Sequence, residues 1–398
     1  MYDPFEHYKT RGPVNEFGNV TATAPRIKNV GWTLGNFCPN RCKHCYSMSA
    51  RVAGANMTKD IIDRIVDQLK KNNIETVNLG GNEPIYTNGR NIEDSLLPYI
   101  INKLHEAKIE VGITTSGITL LYLYKHKKEI FNLINDFDIS LDSPFEEEHN
   151  ENRGAKLYKG AIECMEICQK EHKPHGVIMA GMNWNFTPKH LRALVELCKR
   201  YDANVRINVI KPFNKEHYKT ILTPQQFYDG FNYLMTLCDS VDIGETLLRS
   251  ATKLEHKGRC PCGVTSFRIH SITPTGEIYV SPCVYLHDYK STMNLLTNEL
   301  SDIINSPEFI VFRQRNAHPE LIKGCAGCDI IDYCGGGCAA RSYLHHVILT
   351  NEKSFAQHDP YCPKTNKVNT ALPKAKLINT GEKLVHMDYL CTWIGKPK

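Results

Sequence analysis

A chain of 398 residues, 41% hydrophobic and 23% charged, is long enough to bury a sizeable core and has the composition of a globular protein. Its formal charge of +5 comes from 48 basic and 43 acidic residues scattered along the chain, which offers no basic stripe for nucleic acid, and no apolar run reaches membrane-span length. The start MYDPFEHYKTRGP has neither an apolar signal core nor a small-residue cleavage site, so the expectation is a cytoplasmic protein with no membrane or nucleic-acid partner.

The first strand, VGWTL, runs into NFCPNRCKHCYSMSA, which places Cys38, Cys42 and Cys45 within eight residues. A helix follows over TKDIIDRIVDQLKKNN, with Thr58 as its cap and Ile61, Ile62, Ile65, Val66 and Leu69 on one face. The unit then repeats: IETVNLGG, the helical NIEDSLLPYIINKLHEA, KIEVGITTSG, one helix through LLYLYKHKKEIFNLI, and DFDISLD. After these come AKLYKGAIECMEICQKE, HGVIMAG, TPKHLRALVELCKRYD and ANVRINVI. Six apolar strands separated by helices predict a parallel sheet in an α/β domain, whose ligand site lies outside the carboxyl ends of the strands. The thiol loop, GGNEP, TTSG and SLDSP each follow a strand, so they are expected to meet at one edge. Cys164, Cys168, Cys198 and Cys238 sit singly on these patterns and read as small buried apolar residues.

Sixteen cysteines in a reducing compartment point to ligation rather than disulfides. Beyond Gly258 the composition changes: GRCPCG brings Cys260 and Cys262, and FRIHSITPTGEIYVSPC reads as a hairpin turning at Thr275 and Gly276 and delivering Cys283. CAGCDIIDYCGGGC then supplies Cys325, Cys328, Cys334 and Cys338, and YCP supplies Cys362. Cys391, near the end, reads as a structural residue. A structural zinc site wants four closed ligands, whereas three thiols suit a [4Fe–4S] cluster with one iron left open; the residues alone allow both.

C-x3-C-x2-C, with His44 as the ring before the last cysteine, resembles the signature of radical S-adenosylmethionine enzymes. In that family the turn after the second strand contacts the methionine amino group, which implies a cofactor role for Gly80, Gly81, Asn82, Glu83 and Pro84, the extra Asn leaving open whether residue 82 or 83 faces the ligand. The resemblance further assigns Ser140, and less directly Asp142, to the ribose, and reads HNENRG as the family's HD-x-x-R-G, with Arg153 as partner of the cofactor carboxylate; His149 and Asn150 depart from that pattern. The later cysteines resemble the SPASM extension of these enzymes. That implies two auxiliary [4Fe–4S] clusters, one on Cys325, Cys328, Cys334 and Cys362, the other on Cys338, Cys283, Cys262 and Cys260; with Cys262 alone of its pair, the second cluster has an open iron.

The implied architecture is a partial (β/α)6 TIM-like barrel with a C-terminal SPASM domain, divided as 1–29 extension, 30–240 barrel, 241–257 helical linker, 258–365 auxiliary-cluster domain and 366–398 tail. The implied activity is reductive cleavage of S-adenosylmethionine to a 5′-deoxyadenosyl radical, followed by hydrogen abstraction from a ribosomally made peptide and oxidative modification or cross-linking through a thioether or C–C bond. A small metabolite or tetrapyrrole precursor is the alternative substrate, and a non-catalytic iron–sulfur or zinc scaffold the alternative of another class. Val284 follows the hairpin cysteine where sulfatase maturases carry Asp, which argues against that activity. Fewer than forty residues precede Cys38, too few for a leader-binding domain, so a separate leader-peptide recognition protein is expected, with an external donor such as flavodoxin or ferredoxin. No general acid or base is assigned; Tyr285, His287, Asp288 and His270 are candidates by position alone.

Overall fold

The computed structural model describes residues 15–35, 37–47, 54–254, 259–286, 289–370, 372–385, 387 and 389–398. His287 and Asp288 therefore lie outside the described residues. Strands β1 (Asn29–Trp32), β2 (Thr76–Leu79), β3 (Glu110–Thr115), β4 (Asp136–Ser140), β5 (His175–Gly181) and β6 (Asn204–Val209) form a parallel run in sequence order. Neighbours are in register as Val30↔Val77, Val77↔Val111 and Ile139↔Val177. Helices α1 (Lys59–Lys71), α2 (Leu97–Glu106), α3 (Ile118–His126), α4 (Lys128–Leu133), α5 (Glu146–Arg153), α6 (Tyr158–Lys170) and α7 (Pro188–Arg200) fill the crossovers.

Local chemistry explains most boundaries. Thr58 caps α1 by accepting from the Ile61 amide at 3.4 Å, and Ile62, Ile65, Val66 and Leu69 are buried, as the periodicity predicts. The single helix expected over LLYLYKHKKEIFNLI is broken into α3 and α4, because Lys127 adopts φ −145°, ψ 55°. HNENRG forms the end of α5, with Glu146 to Glu148 in its first turn, Arg153 in its last and Gly154 in the left-handed region at φ 63°. Charges of those signs complement the helix dipole, and glycine accepts the reversed φ without a side-chain clash.

The sheet is larger than six strands. On one edge β7 (Cys238–Ile243) is separated from β6 by the C-terminal strand β10 (Trp393–Pro397), antiparallel to both. On the other, β8 (Ser266–Ile269) runs parallel to β1 and carries β9 (Val280–Ser281) as its antiparallel partner. The expected hairpin is thus present, its turn closed at Gly276 (φ 92°), and it extends the barrel sheet itself.

Two buried arginines fix the cysteine-rich segment. Arg341 meets Glu245 through Nη1 and Nη2 at 2.9 and 3.0 Å, and Asp359 through Nε and Nη2 at 2.9 and 2.6 Å. Asp359 also accepts the Cys338 amide at 2.8 Å. Arg315 donates to the carbonyls of Gly336, Gly337 and Phe355 at 2.7, 3.3 and 3.0 Å, which holds the GGG turn between Cys334 and Cys338. Such planar guanidinium forks match paired acceptors, so the loop has one seating.

Candidate active site

The four strand-end segments meet as expected. The thiol loop docks on α5, with the Arg41 and Lys43 amides donating to Arg153 and Asn152 carbonyls at 3.2 and 2.9 Å, and Asn40 Nδ2 reaches Ser116 Oγ of the TTSG turn at 3.0 Å. Glu83, 2% exposed, accepts from the Ser116 amide and hydroxyl at 2.9 and 2.6 Å, from the Thr119 amide at 2.8 Å and from the Thr115 hydroxyl. The GGNEP carboxylate thus anchors the start of α3, while its backbone amide hydrogen-bonds Cys38.

A cavity opens at this edge. Gly80, Gly81, Ser140, His44 and Arg153 line it among the expected site residues. Asn82, Glu83 and Pro84 do not; Asn82 lies behind, its Nδ2 3.3 Å from the Phe37 carbonyl. Gly81 is at φ 95°, and a Cβ there would stand 1.9 Å from Arg268 Nη2 and 2.7 Å from Thr33 Oγ1. A side chain would be strained and blocked at once, leaving backbone as the wall.

Arg153 is held by Asp142, Nε to Oδ2 at 2.6 Å and Nη2 to Oδ1 at 3.0 Å, with Nη1 3.9 Å from Cys42 Sγ. Asp142 is fully buried, also accepts Asn152 Nδ2 at 2.9 Å, and stays off the cavity wall. Burial opposes its ionisation, but Arg153, His44 and His149 outweigh it and hold the carboxyl below its ordinary range. Burial pushes the Cys38 thiol up to about 12 and the Cys42 thiol to about 11, the latter against the opposing Arg153 charge. Bound iron supplies the positive charge that such thiolates need.

The sequence did not point to Tyr46, Arg206, Asn208, Lys211, Phe213, Arg268, Tyr389 and Leu390, which also line the cavity. A signal existed for two of them: Arg206 in NVRINVI and Arg268 in SFRI are charges inside apolar strands. Arg206 pairs with Asp138 of β4, and Arg268 Nη1 donates to Tyr46 Oη at 3.1 Å. Tyr46 packs edge-on against Tyr285 with centroids 5.2 Å apart, and Lys211 Nζ lies 4.1 Å from the Tyr285 centroid. His270 is buried and bonded to Ser281 Oγ at 2.9 Å, off the cavity.

The later cysteines form two groups. Cys334, Cys362 and Cys328 all act electrostatically on Cys325, and burial pushes that thiol up to about 12. Cys260 is in hydrogen-bond contact with Cys262, Cys338 and Cys391, which pull its thiol well below the ordinary value, while Cys262 also contacts Cys283. Among the described residues no three His, Cys, Asp or Glu side chains close on a single-ion site. A cubane instead asks for thiols around a core, one per iron, and these two groups are all-sulfur donor sets of that kind. The first cavity fits a polar cofactor on independent grounds: Asn208 Oδ1 and Arg268 Nε are buried on its wall without a hydrogen-bond partner among the described residues.

The chain matches the radical SAM superfamily over residues 32–220 and the SPASM iron–sulfur cluster-binding domain over residues 260–329. It is 25% identical over 347 residues to the mycofactocin maturase MftC of Mycobacterium ulcerans, covering 83% of this chain and 86% of that one. It is 22% identical over 354 residues to the radical SAM cyclopropyl synthase TigE of Paramaledivibacter caminithermalis, covering 80% and 69%. Among solved structures, Streptococcus suis SuiB bound to its precursor peptide SuiA superposes with a TM-score of 0.62 at 17% identity, covering 85% and 76%. The native anSMEcpe with bound AdoMet gives 0.61 at 16%, covering 85% and 95%. At those identities the structural likeness establishes the fold, a partial TIM-like barrel with a SPASM domain.

Proposed function

Since this chain belongs to the radical SAM enzymes that carry a SPASM domain, with its S-adenosylmethionine and its primary and auxiliary [4Fe–4S] clusters, we propose that it matures a ribosomally made peptide by oxidative modification or by cross-linking through a thioether or C–C bond. The observation that carries this reading is that one cavity adjoins both thiol regions. Arg153, beside Cys42, lies on its wall, and so do Val284 and Leu390, the chain neighbours of Cys283 and Cys391. Relatives named as peptide maturases, and a neighbour solved with its precursor peptide, support the substrate class.

Cys38, Cys42 and Cys45 hold the primary cluster in this reading. When bound, the cluster and S-adenosylmethionine supply a 5′-deoxyadenosyl radical able to take hydrogen from an unactivated carbon. The chain supplies placement. Gly80 and Gly81 let backbone approach the cofactor, Ser140 faces its ribose, and Nη1 of Arg153, the guanidinium nitrogen turned away from Asp142, is set for its carboxylate. Glu83 shapes the turn from behind. Tyr46, Tyr285 and Tyr389 wall the substrate side and keep water from the reacting carbon, and Arg206, Lys211 and Arg268 make that wall cationic. An external one-electron donor of the flavodoxin or ferredoxin type and a separate leader-peptide recognition protein complete the proposed system.

The test is anaerobic. Reconstituted protein with reductant and S-adenosylmethionine is assayed for 5′-deoxyadenosine in the presence of source-cell extract, intact or protease-treated. Stimulation that protease destroys is the expected result. Stimulation that survives protease and passes a small-pore filter would overturn the peptide reading in favour of a small metabolite.

A further inference from the structure

Of the cysteines left outside the expected ligand sets, Cys164, Cys168, Cys198 and Cys238 belong to the barrel core. Cys391 does not. It is 3% exposed and packs in the second buried cluster with Cys260, Cys262, Cys283 and Cys338. Its thiol lies 4.0 Å from that of Cys260 and also engages Cys338. Five thiols therefore share one pocket.

The tail is built to deliver this residue. The hydroxyl of Tyr389 is pressed against Gly31, where a Cβ would come within 1.6 Å of it, and the Leu390 carbonyl sits 2.4 Å from where a Cβ of Gly244 would be. Ser266 Oγ donates to the Tyr389 carbonyl and the Glu245 amide to the Thr392 carbonyl, both at 2.8 Å. Cys391 is thus clamped on both sides, two residues before β10 enters the sheet. Apolar and aromatic side chains, including Ala340, Phe312 and Phe355, share the buried cluster with the five thiols, while the buried cations Lys211 and Arg341 act on Cys338. Four buried thiolates need more positive charge than those two side chains supply.

We propose that Cys391 is a protein ligand of the auxiliary cluster nearest the cavity, one of four thiolates drawn from these five, so that no iron of that cluster is open to substrate. The proposal rests on the presence of a SPASM cluster at this group. Each iron of a cubane takes one thiolate. Five thiols stand for four irons, so one is spare; that place falls to Cys260, which touches Cys262 and Cys338 as well as Cys391, while Cys391, which the tail fixes on both sides, is kept as a ligand. Substrate recognition then falls to the side chains of the cavity wall and not to iron.

The test uses the full chain carrying Cys38→Ala, Cys42→Ala and Cys45→Ala, which removes the primary cluster and its own open iron. After reconstitution, 13C-cyanide is added to the reduced protein, and pulsed EPR reads 13C hyperfine coupling to the auxiliary clusters. The parent and its Cys260→Ala variant should show none. Adding Cys391→Ala to Cys260→Ala should produce the coupling, or cost that cluster's iron, while the signal of the cluster on Cys325, Cys328, Cys334 and Cys362 persists as the control for folding. Coupling in the parent or in Cys260→Ala alone, or a double variant that keeps its iron and stays silent, would overturn the proposal. A parent with no signal from the nearer cluster at all would refute the cluster reading beneath it.

Discussion

Around Arg153 the chain sets two imidazoles, those of His44 and His149, near a cation. His149 is fully buried and its Nδ1 accepts the Asp142 amide at 3.1 Å, which requires an unprotonated nitrogen there. Burial, followed by the Arg153 charge, lowers its pKa from 6.5 to about 4. The folded state therefore resists a proton that the unfolded chain accepts, so stability is fully present above pH 6.5 and is lost as pH falls through about 4. At about 1.4 kcal/mol per unit, the residue contributes up to about 3 kcal/mol of this acid sensitivity. His149→Gln should flatten the stability profile between those limits, checked by denaturant melts of the metal-free protein at stepped pH. An unchanged slope would mean that His149 is not the titrating group.

The segments that hold the cysteines depend on a few buried charges. Arg341, Glu245 and Asp359 are each 1% exposed and together tie the Cys338 turn to the helix after β7 and to the approach to Cys362. Arg341→Leu leaves two buried carboxylates without a counter-charge and should cost roughly 3–5 kcal/mol, read from the denaturation midpoint. Arg341→Lys should recover only part of this, because an ammonium cannot engage both carboxylates through a planar fork. Elements elsewhere differ from the periodic pattern for local reasons. The break at Lys127 falls inside an unbroken helical pattern, where hydrophobic spacing carries no mark of a backbone turn. The helix expected from Asn91 begins at Leu97, since Thr87 and Ser95 hydroxyls hold the amides of Leu96 and Leu97 at 2.8 and 3.2 Å and organise the preceding turns.

Across the molecule, two thiol regions flank one cavity, and they should separate in function. Cys42→Ala should abolish 5′-deoxyadenosine formation, whereas Cys328→Ala should depress turnover on substrate more than cofactor cleavage; equal loss in both assays would contradict this division. By itself the sequence determined the alternating β/α order, the meeting of the thiol loop with GGNEP, TTSG and SLDSP, and the grouping of most cysteines, because spacing and strand polarity are local properties that fix which ends of a parallel sheet coincide. Only the tertiary structure decided that Glu83 faces inward to α3, that the hairpin joins β1, and that Tyr389, Leu390 and Cys391 close the cavity and reach the auxiliary thiols. Those contacts join residues far apart in the chain, such as Cys391 and Cys260, and depend on the last strand slipping between β6 and β7. No local period in a sequence encodes such a long-range pairing.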